Sequence, residues 1–526
     1  MNKGEKPRNQ VEIHLIQSHD DIEVFLDEIK ENKNNMSEVS YKKIVQILEI
    51  IGYPMTVVCE LNYVDKNFRD TYYRCFAGKH FEKQKNCKRL SFFRENIEPE
   101  IFYKYDDSSC KKLNEAFVGT MILKPLKIGK VGLTLLNPQR LHIPKCYLRT
   151  AQFDFIILGN DLSVQAFPFS SQDTETMTCA ETTVWSIVQY FGMKYSEYRT
   201  ILPGDIIARV GKGAKERILP SRGLDYYVVS ELLKEFGFSP RLYAKSSFEG
   251  ENGYEFRRIF HYYVESGIPL AVGISGMKNN KSIRHSFVCI GHEYERKELP
   301  KIDALQKEEY LGVSCIDSSL FYDKYVISDD NQYPYVIQPF DSFTMYEKTE
   351  VVVLAVPLYK RVFLEAIDVR KIFQHIMSSE LSFCKIIPQI KETVDEKNPL
   401  VTRVYLTSSR KYRSFRARSG MNPQSAYFYS SFAFPKFVWV IEISTYSSYL
   451  NNKIYGEIIL DATASRMELS ESLIMIRYLE KIGYRLPDES LEKINERLQC
   501  QAKFLDFPYD MYKNNLCDGG SFDDKL

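Results

Sequence analysis

The sequence predicts an α+β protein, on three observations. A run of helical patterns in the middle third is followed by a run of strand patterns, rather than alternating with them. The first 150 residues carry one amphipathic helix and several short strands. The last third opens on a strand, VVVLAVPL. At roughly 100–200 residues per domain, 526 residues suggest about three domains, read as 1–150, 151–350 and 351–526.

Hydrophobic residues make up 44% and charged residues 26% of the chain, as in ordinary globular proteins. The formal net charge is +1, so no global attraction to nucleic acid or membrane is indicated. The N-terminus, MNKGEKPRNQVEIHLIQ, lacks the apolar segment of a secretory signal. No uninterrupted apolar run has the length of a membrane span. A cytoplasmic chain with no membrane association is expected. Its eleven cysteines are therefore read as thiols rather than a disulfide framework. They form no C-x-x-C pair, and no histidines stand at zinc-ligand spacing, so neither a metal nor a cofactor is expected.

In residues 1–150, apolar residues at 44, 45, 47, 48 and 51 before Gly52 predict a helix over Tyr41–Ile51. Strands are predicted at Met55–Val64, Thr71–Phe76, Phe117–Leu123 and Val131–Leu136. In residues 151–350, helices are predicted after Thr178, at Val228–Phe236 and at Phe256–Ser266. Strands follow at Pro269–Ile274, Ser286–Ile290 and Tyr325–Ser328. In residues 351–526, FVWVIEIS and GEIILDATAS read as paired strands. Helices are predicted near Leu469–Ile482 and Ser490–Gln499, and the tail CDGGSFDDKL reads as disordered.

The segment SSQDTETMTCAETTVWSIVQYFG carries the chemistry. Apolar residues at 180, 184, 187, 188 and 191 define one helix face, and Thr178 with Glu181 reads as a capping box. Cys179 then opens the helix, where the dipole and free N–H groups favour negative charge. Thiols so placed fall from about 8.5 to roughly 3.5–7.5 in pKa. The same N–H groups are suited to an oxyanion. A second segment, SGIPLAVGISGMKNNKSIRHSFVCIGHEY, places His285 at the start of an apolar strand, with Cys289 in its core and His292 at its far end. A third, YDKYVISDDNQYPY, delivers Asp329 and Asp330 to a strand end, where a carboxylate can orient an imidazole. Asp329 directly follows the apolar run, and strand alternation turns only one of the two toward His285. Asp317 is a third candidate.

These segments, in this order, resemble the papain-like cysteine peptidase superfamily, and within it the double-glycine leader peptidase domain of bacteriocin exporters and its stand-alone relatives. The resemblance covers about residues 165–340. It extends to VSELLKEFGF, SGIPLAVGI, HSFVCIG and VISDD. It implies Cys179 as nucleophile, His285 as base, Asp329 as orienting acid and Gln172 at the oxyanion hole. It implies a peptide or protein amide as substrate. Four departures stand out. Ala180 replaces the glycine that follows the family cysteine. Gln172 lies seven residues before Cys179 rather than six. His285 lies 106 residues after it. Residues 293–323 form an insertion, read as a lid or partner-binding element. Two alternatives are a decayed peptidase fold kept as a binding module, and amide transfer or deamidation by the same residues. A third concerns Arg410, Lys411, Arg413, Arg416 and Arg418, interleaved with Tyr412 and Phe415, a pattern that grips nucleic acid in other proteins.

Overall fold

The computed structural model describes residues 11–521 apart from 32, 81–83, 214–218, 220, 222, 252, 297–307, 344–345, 379–385, 396, 466–467 and 503–504. The fold is mixed α+β, as expected, and built on three main sheets.

The first sheet is a meander of five antiparallel strands in chain order: Val11–Ile16, Met55–Tyr63, Cys87–Arg94, Phe117–Leu123 and Val131–Leu136. The helix Glu38–Ile51 buries Ile44, Ile47, Leu48 and Ile51 in the same core. It starts before the expected Tyr41 because Ser37 caps it, accepting a hydrogen bond from Ser40 N–H at 3.2 Å. The strand expected at Thr71–Phe76 is helical instead. Asp65 caps Lys66–Thr71 through Phe68 N–H at 2.7 Å, and the aromatic run continues as a π-turn over Tyr72–Phe76. Its β-like composition lost to a helix start just upstream.

The second sheet is antiparallel. Its main path runs Val336–Pro339, Lys324–Ser328, Lys281–Glu293, Leu270–Lys278, Glu347–Val356 and Arg241–Ala244. Cys146–Leu148 pairs with the far end of Lys281–Glu293, and Cys517–Gly519 pairs with Cys146–Leu148. The expected disordered tail is thus corrected: its first residues are a strand, and 522–526 lie outside the described residues. The helix Cys179–Lys194 packs Val184, Ile187 and Val188 with Ala271, Val288 and Ile290. The helix Tyr254–Glu265 packs with the alternate positions Val272, Ile274, Phe287 and Cys289.

The third sheet runs Glu308–Tyr310, Val313–Asp317, Leu400–Ser408, Phe437–Thr445, Gly456–Asp461, Leu473–Tyr478 and Lys481–Tyr484. Val313–Asp317 pairs in parallel with Leu400–Ser408, and the rest are antiparallel. Two expectations change here. The helix expected over Leu469–Ile482 is a short turn followed by a hairpin of two strands, because a short, fully buried apolar run looks the same in either form. The insertion 293–323 is no lid where it is described: Val313–Asp317 is a strand of this sheet, with Val313 and Phe321 fully buried.

The helix Tyr254–Glu265 also packs against the third sheet, sharing a core with Leu400, Val404, Trp439 and Ile441. Sheets on both sides explain why Phe256 and every residue from Arg258 to Glu265 are buried. Its charges are paired. Glu265 meets Arg403 at 2.6 Å and His292 at 3.3 Å. Arg403 also meets Glu442 at 2.9 Å, and Arg416 joins Glu442 at 3.1 Å to Glu457 at 2.7 Å.

Candidate functional site

The chain reaches Cys179 around a buried carboxylate. Asp173 Oδ1 accepts the N–H groups of Glu175, Thr176 and Met177 at 3.0, 2.7 and 2.9 Å. Thr178 follows in extended conformation, and Cys179 is the first residue of the helix Cys179–Lys194, partly exposed. Thr178 is the N-cap, as expected, but the capping box does not form. Its hydroxyl donates to Glu181 Oε2 instead of accepting a backbone N–H, and Glu181 Oε1 accepts from Ser221. Thr182 N–H is bonded to Thr178 carbonyl at 3.0 Å. The N–H groups of Cys179, Ala180 and Glu181 precede that first bond and have no acceptor within the helix.

His285 lies within Lys281–Glu293 rather than opening it, since the polar stretch before it also pairs, across to Leu270–Lys278. The strand Lys324–Ser328 stops opposite Val288, so the chain leaves the sheet beside His285. That exit sets Asp329 against the imidazole. His285 Nε2 donates to Asp329 Oδ1 at 2.7 Å, while Asp330 Oδ1 lies 3.7 Å away. The Cys179 side chain is near enough to the same imidazole to act on its proton. Burial alone would lower the pKa of His285. The charge and hydrogen bond of Asp329, the neighbouring Cys179 side chain and the charge of Asp330 outweigh it and raise the pKa well above the usual histidine value.

Asp329 is fully buried. Burial would raise its pKa, but His285, the Asn331 N–H at 2.9 Å and the Gln332 amide at 3.0 Å hold it below the ordinary carboxylate value. Asp330 goes the other way. Burial, together with the charge on Asp329, pushes its carboxyl up to about 7 against the pull of His285 and Lys43. Neither of its side-chain oxygens accepts a hydrogen bond among the described residues.

Gln172 reaches this cluster: its Nε2 donates to Asn331 Oδ1 at 2.9 Å. Asn331 Nδ2 donates to Tyr346 Oη at 3.2 Å and lies 3.5 Å from the ring nitrogens of His285. Lys43, from the helix Glu38–Ile51, donates to Ser171 Oγ at 2.7 Å and to the Asp330 carbonyl. Its burial pushes its pKa down to about 8, against the charges of Asp330 and Asp329. A hydroxyl chain ties helix to strand: Ser286 donates to Thr183 at 3.2 Å and meets Tyr226 at 2.9 Å.

The structure therefore brings Cys179, His285, Asp329 and Gln172 together. Sequence reasoning missed Asn331, Lys43 and Tyr346. Asn331 had a signal, standing two residues beyond Asp329, whereas Lys43 had none. Asp317 is elsewhere, accepting from Tyr262 Oη and from Ser319 N–H at 2.9 Å. His292 is bound up with Glu265. Cys289 is a core residue, as expected, and burial raises its thiol pKa. The basic stretch Arg410–Arg418 is helical, with Tyr412 and Arg416 fully buried and so closed to a ligand.

The ligand atoms of His285, Asp329 and Asp330 lie within 4.8 Å of one another, a spacing that suits a cation as well as a hydrogen-bonded triad. Among the described residues no helix is long and apolar enough to cross a membrane. No protein-family model matches the chain, and no curated protein matches it.

Proposed function

We propose that this chain is a thiol hydrolase of the papain-like cysteine peptidase kind, acting on a peptide or protein amide. One observation carries the reading: a cysteine at a helix start neighbours a buried histidine, which is itself hydrogen-bonded to a buried aspartate. In the proposed reaction the Cys179 thiolate attacks the amide carbonyl carbon, and the electron pair of the C=O bond moves to oxygen. The Cys179 N–H and the second amide N–H of Gln172 are the donors proposed for that oxyanion. His285 gives its proton to the leaving amine as the C–N bond breaks. It then takes a proton from the water that hydrolyses the thioester. Asp329 holds the imidazole orientation and stabilises its charged form. Amide transfer differs only in replacing that water by an amine.

The test is alkylation of the intact chain with iodoacetamide at mildly acidic pH, mapped by mass spectrometry. Cys179 is expected to label ahead of the other cysteines, and Cys179→Ser to abolish that fast phase. Equal labelling of several cysteines, unchanged by Cys179→Ser, overturns the proposal. A second reading is a divalent-cation site at His285, Asp329 and Asp330, favoured by the two unbonded oxygens of Asp330. Under that reading zinc slows the labelling of Cys179 and a chelator restores it. Under the first, a chelator changes nothing.

A further inference from the structure

A second concentration of charge lies at the other end of the Cys179 helix. A cavity of about 580 Å³ opens there, beside Lys194 in the last turn. Five basic side chains line it: Arg149, Lys194, Arg410, Lys411 and Lys436. Among the described lining residues there is one carboxylate, Glu197, which pairs with Lys436 at 2.8 Å. The other four cations have no carboxylate partner among the described residues.

Their partners are neutral. Arg149 is 3% exposed and gives its guanidinium to Tyr190 Oη at 2.8 Å, Tyr195 Oη at 2.9 Å and the Asn515 carbonyl. Lys194 donates to the Thr150 carbonyl at 2.9 Å. Lys411 lies 6.0 Å above the Tyr195 ring. Like charges crowded in a partly dry site repel one another. Burial lowers the pKa of both lysines, and the charge of Arg149 lowers it further. Tyr195 responds oppositely. Burial would raise its phenol, but Arg149 and Lys411 bring it down to about 8. Among the lining residues, five basic side chains thus face a single carboxylate.

Two further features match a phosphate. The helix Ser409–Arg418 starts at the cavity wall, with Ser408, Ser409 and Arg410 in the lining. Tyr359 and Phe437 also line the cavity and stack on each other, 4.8 Å apart at 15°, giving an apolar surface beside the charges. The volume is that of a small-molecule site, a class that spans roughly 300–1,000 Å³.

We propose that this cavity binds a small phosphorylated molecule, its phosphate held by Lys411, Arg410, Lys194 and Arg149. The proposal is independent of any chemistry at Cys179. It also reassigns the basic stretch: Arg410 and Lys411 face the cavity, while Arg416 serves the core.

The test is calorimetric titration of the full chain with sodium pyrophosphate and with adenosine monophosphate, at ionic strength fixed with sodium chloride. Saturable binding of either probe is expected. Lys411→Ala and the exposed-site variant Arg410→Gln should each weaken it at least about tenfold, as loss of one charge-assisted bond does. Iodoacetamide labelling of Cys179 should match wild type in both variants, which checks that they are folded. Absence of saturable binding, or equal affinity in wild type and both variants, overturns the proposal. So does binding of a single-stranded oligonucleotide without binding of either probe.

Discussion

Asp329 and Asp330 are chain neighbours with opposite fates, and the difference lies in what each oxygen meets. Asp329 collects a histidine, a backbone N–H and an amide, whereas no hydrogen bond reaches the Asp330 carboxylate oxygens among the described residues. Replacing Asp329 by Asn removes the charge that holds the His285 proton. Cys179 alkylation at about pH 6 should then slow at least about tenfold, the effect of one pKa unit. Asp330→Asn should leave that rate nearly unchanged. An unchanged rate in Asp329→Asn would mean that another group holds His285. Asp330 has its own signature in stability. Its folded pKa is about 7, against about 3.9 in an unfolded chain. Between those values the folded state holds the extra proton, so stability falls as pH rises from about 4 to 7. Asp330→Asn should flatten that fall, with a gain of a few kcal/mol above pH 7. Urea unfolding of both proteins at several pH values checks this; parallel curves would refute it.

At the scale of elements, the Cys179 helix shows what sequence can and cannot supply. Its start was legible because an extended polar residue precedes an apolar period of 3.6. Its cap was misread, because the Thr178 hydroxyl can either accept a backbone N–H or donate to Glu181, and the sequence does not rank the two. The structure gives it to Glu181, which is 3% exposed. Thr178→Ala therefore acts by leaving a buried carboxylate oxygen without its donor, at about 1–3 kcal/mol. In a Glu181→Gln background the same change should cost less, with a coupling energy of about 0.5–3 kcal/mol. A zero coupling in denaturant unfolding would return Thr178 to an ordinary cap. The same logic sorts the strands. Phe117–Leu123 and Val131–Leu136 were found to the residue because turn residues bound short apolar runs. The ribbon on either side of Asn279 and Asn280 was missed because polar residues pair as readily as apolar ones when one side stays wet. Cys179 and Asp329 were legible because each sits at or beside an element end, and His285 because it stands where a polar stretch meets an apolar run. Lys43 was not, since a lysine amid a helical apolar pattern reads as solvent-facing, and only the tertiary fold buries it.

At the scale of the molecule, the chain does not build its sheets from contiguous thirds. Glu347–Val356 is a strand of the second sheet, Val313–Asp317 of the third, and Cys517–Gly519 returns to the second. The helix Tyr254–Glu265 is shared by both sheets, and Arg403 fastens it by bridging Glu265 and Glu442. Breaking a buried ion pair on one side leaves an uncompensated charge, which costs about 3–5 kcal/mol. Arg403→Met takes one cationic partner from each of two buried carboxylates, so its cost should reach that range. The chain offers its own reporters. Of its two tryptophans, Trp185 lies in the Cys179 helix and Trp439 in the third sheet, both at most 2% exposed. Single-tryptophan versions, made with Trp439→Phe or Trp185→Phe, report on the two cores separately. If the shared helix and Arg403 couple them, both probes should show one coincident urea transition in the otherwise native chain. Arg403→Met should then separate the two transitions, although each carboxylate keeps one cationic or imidazole partner, Glu442 its Arg416 and Glu265 its His292. Transitions already separate in the native chain would make the two cores independent units. Coincident, unshifted transitions in Arg403→Met would show that the packing of Phe256, Tyr263 and their neighbours couples the cores without the ion pairs.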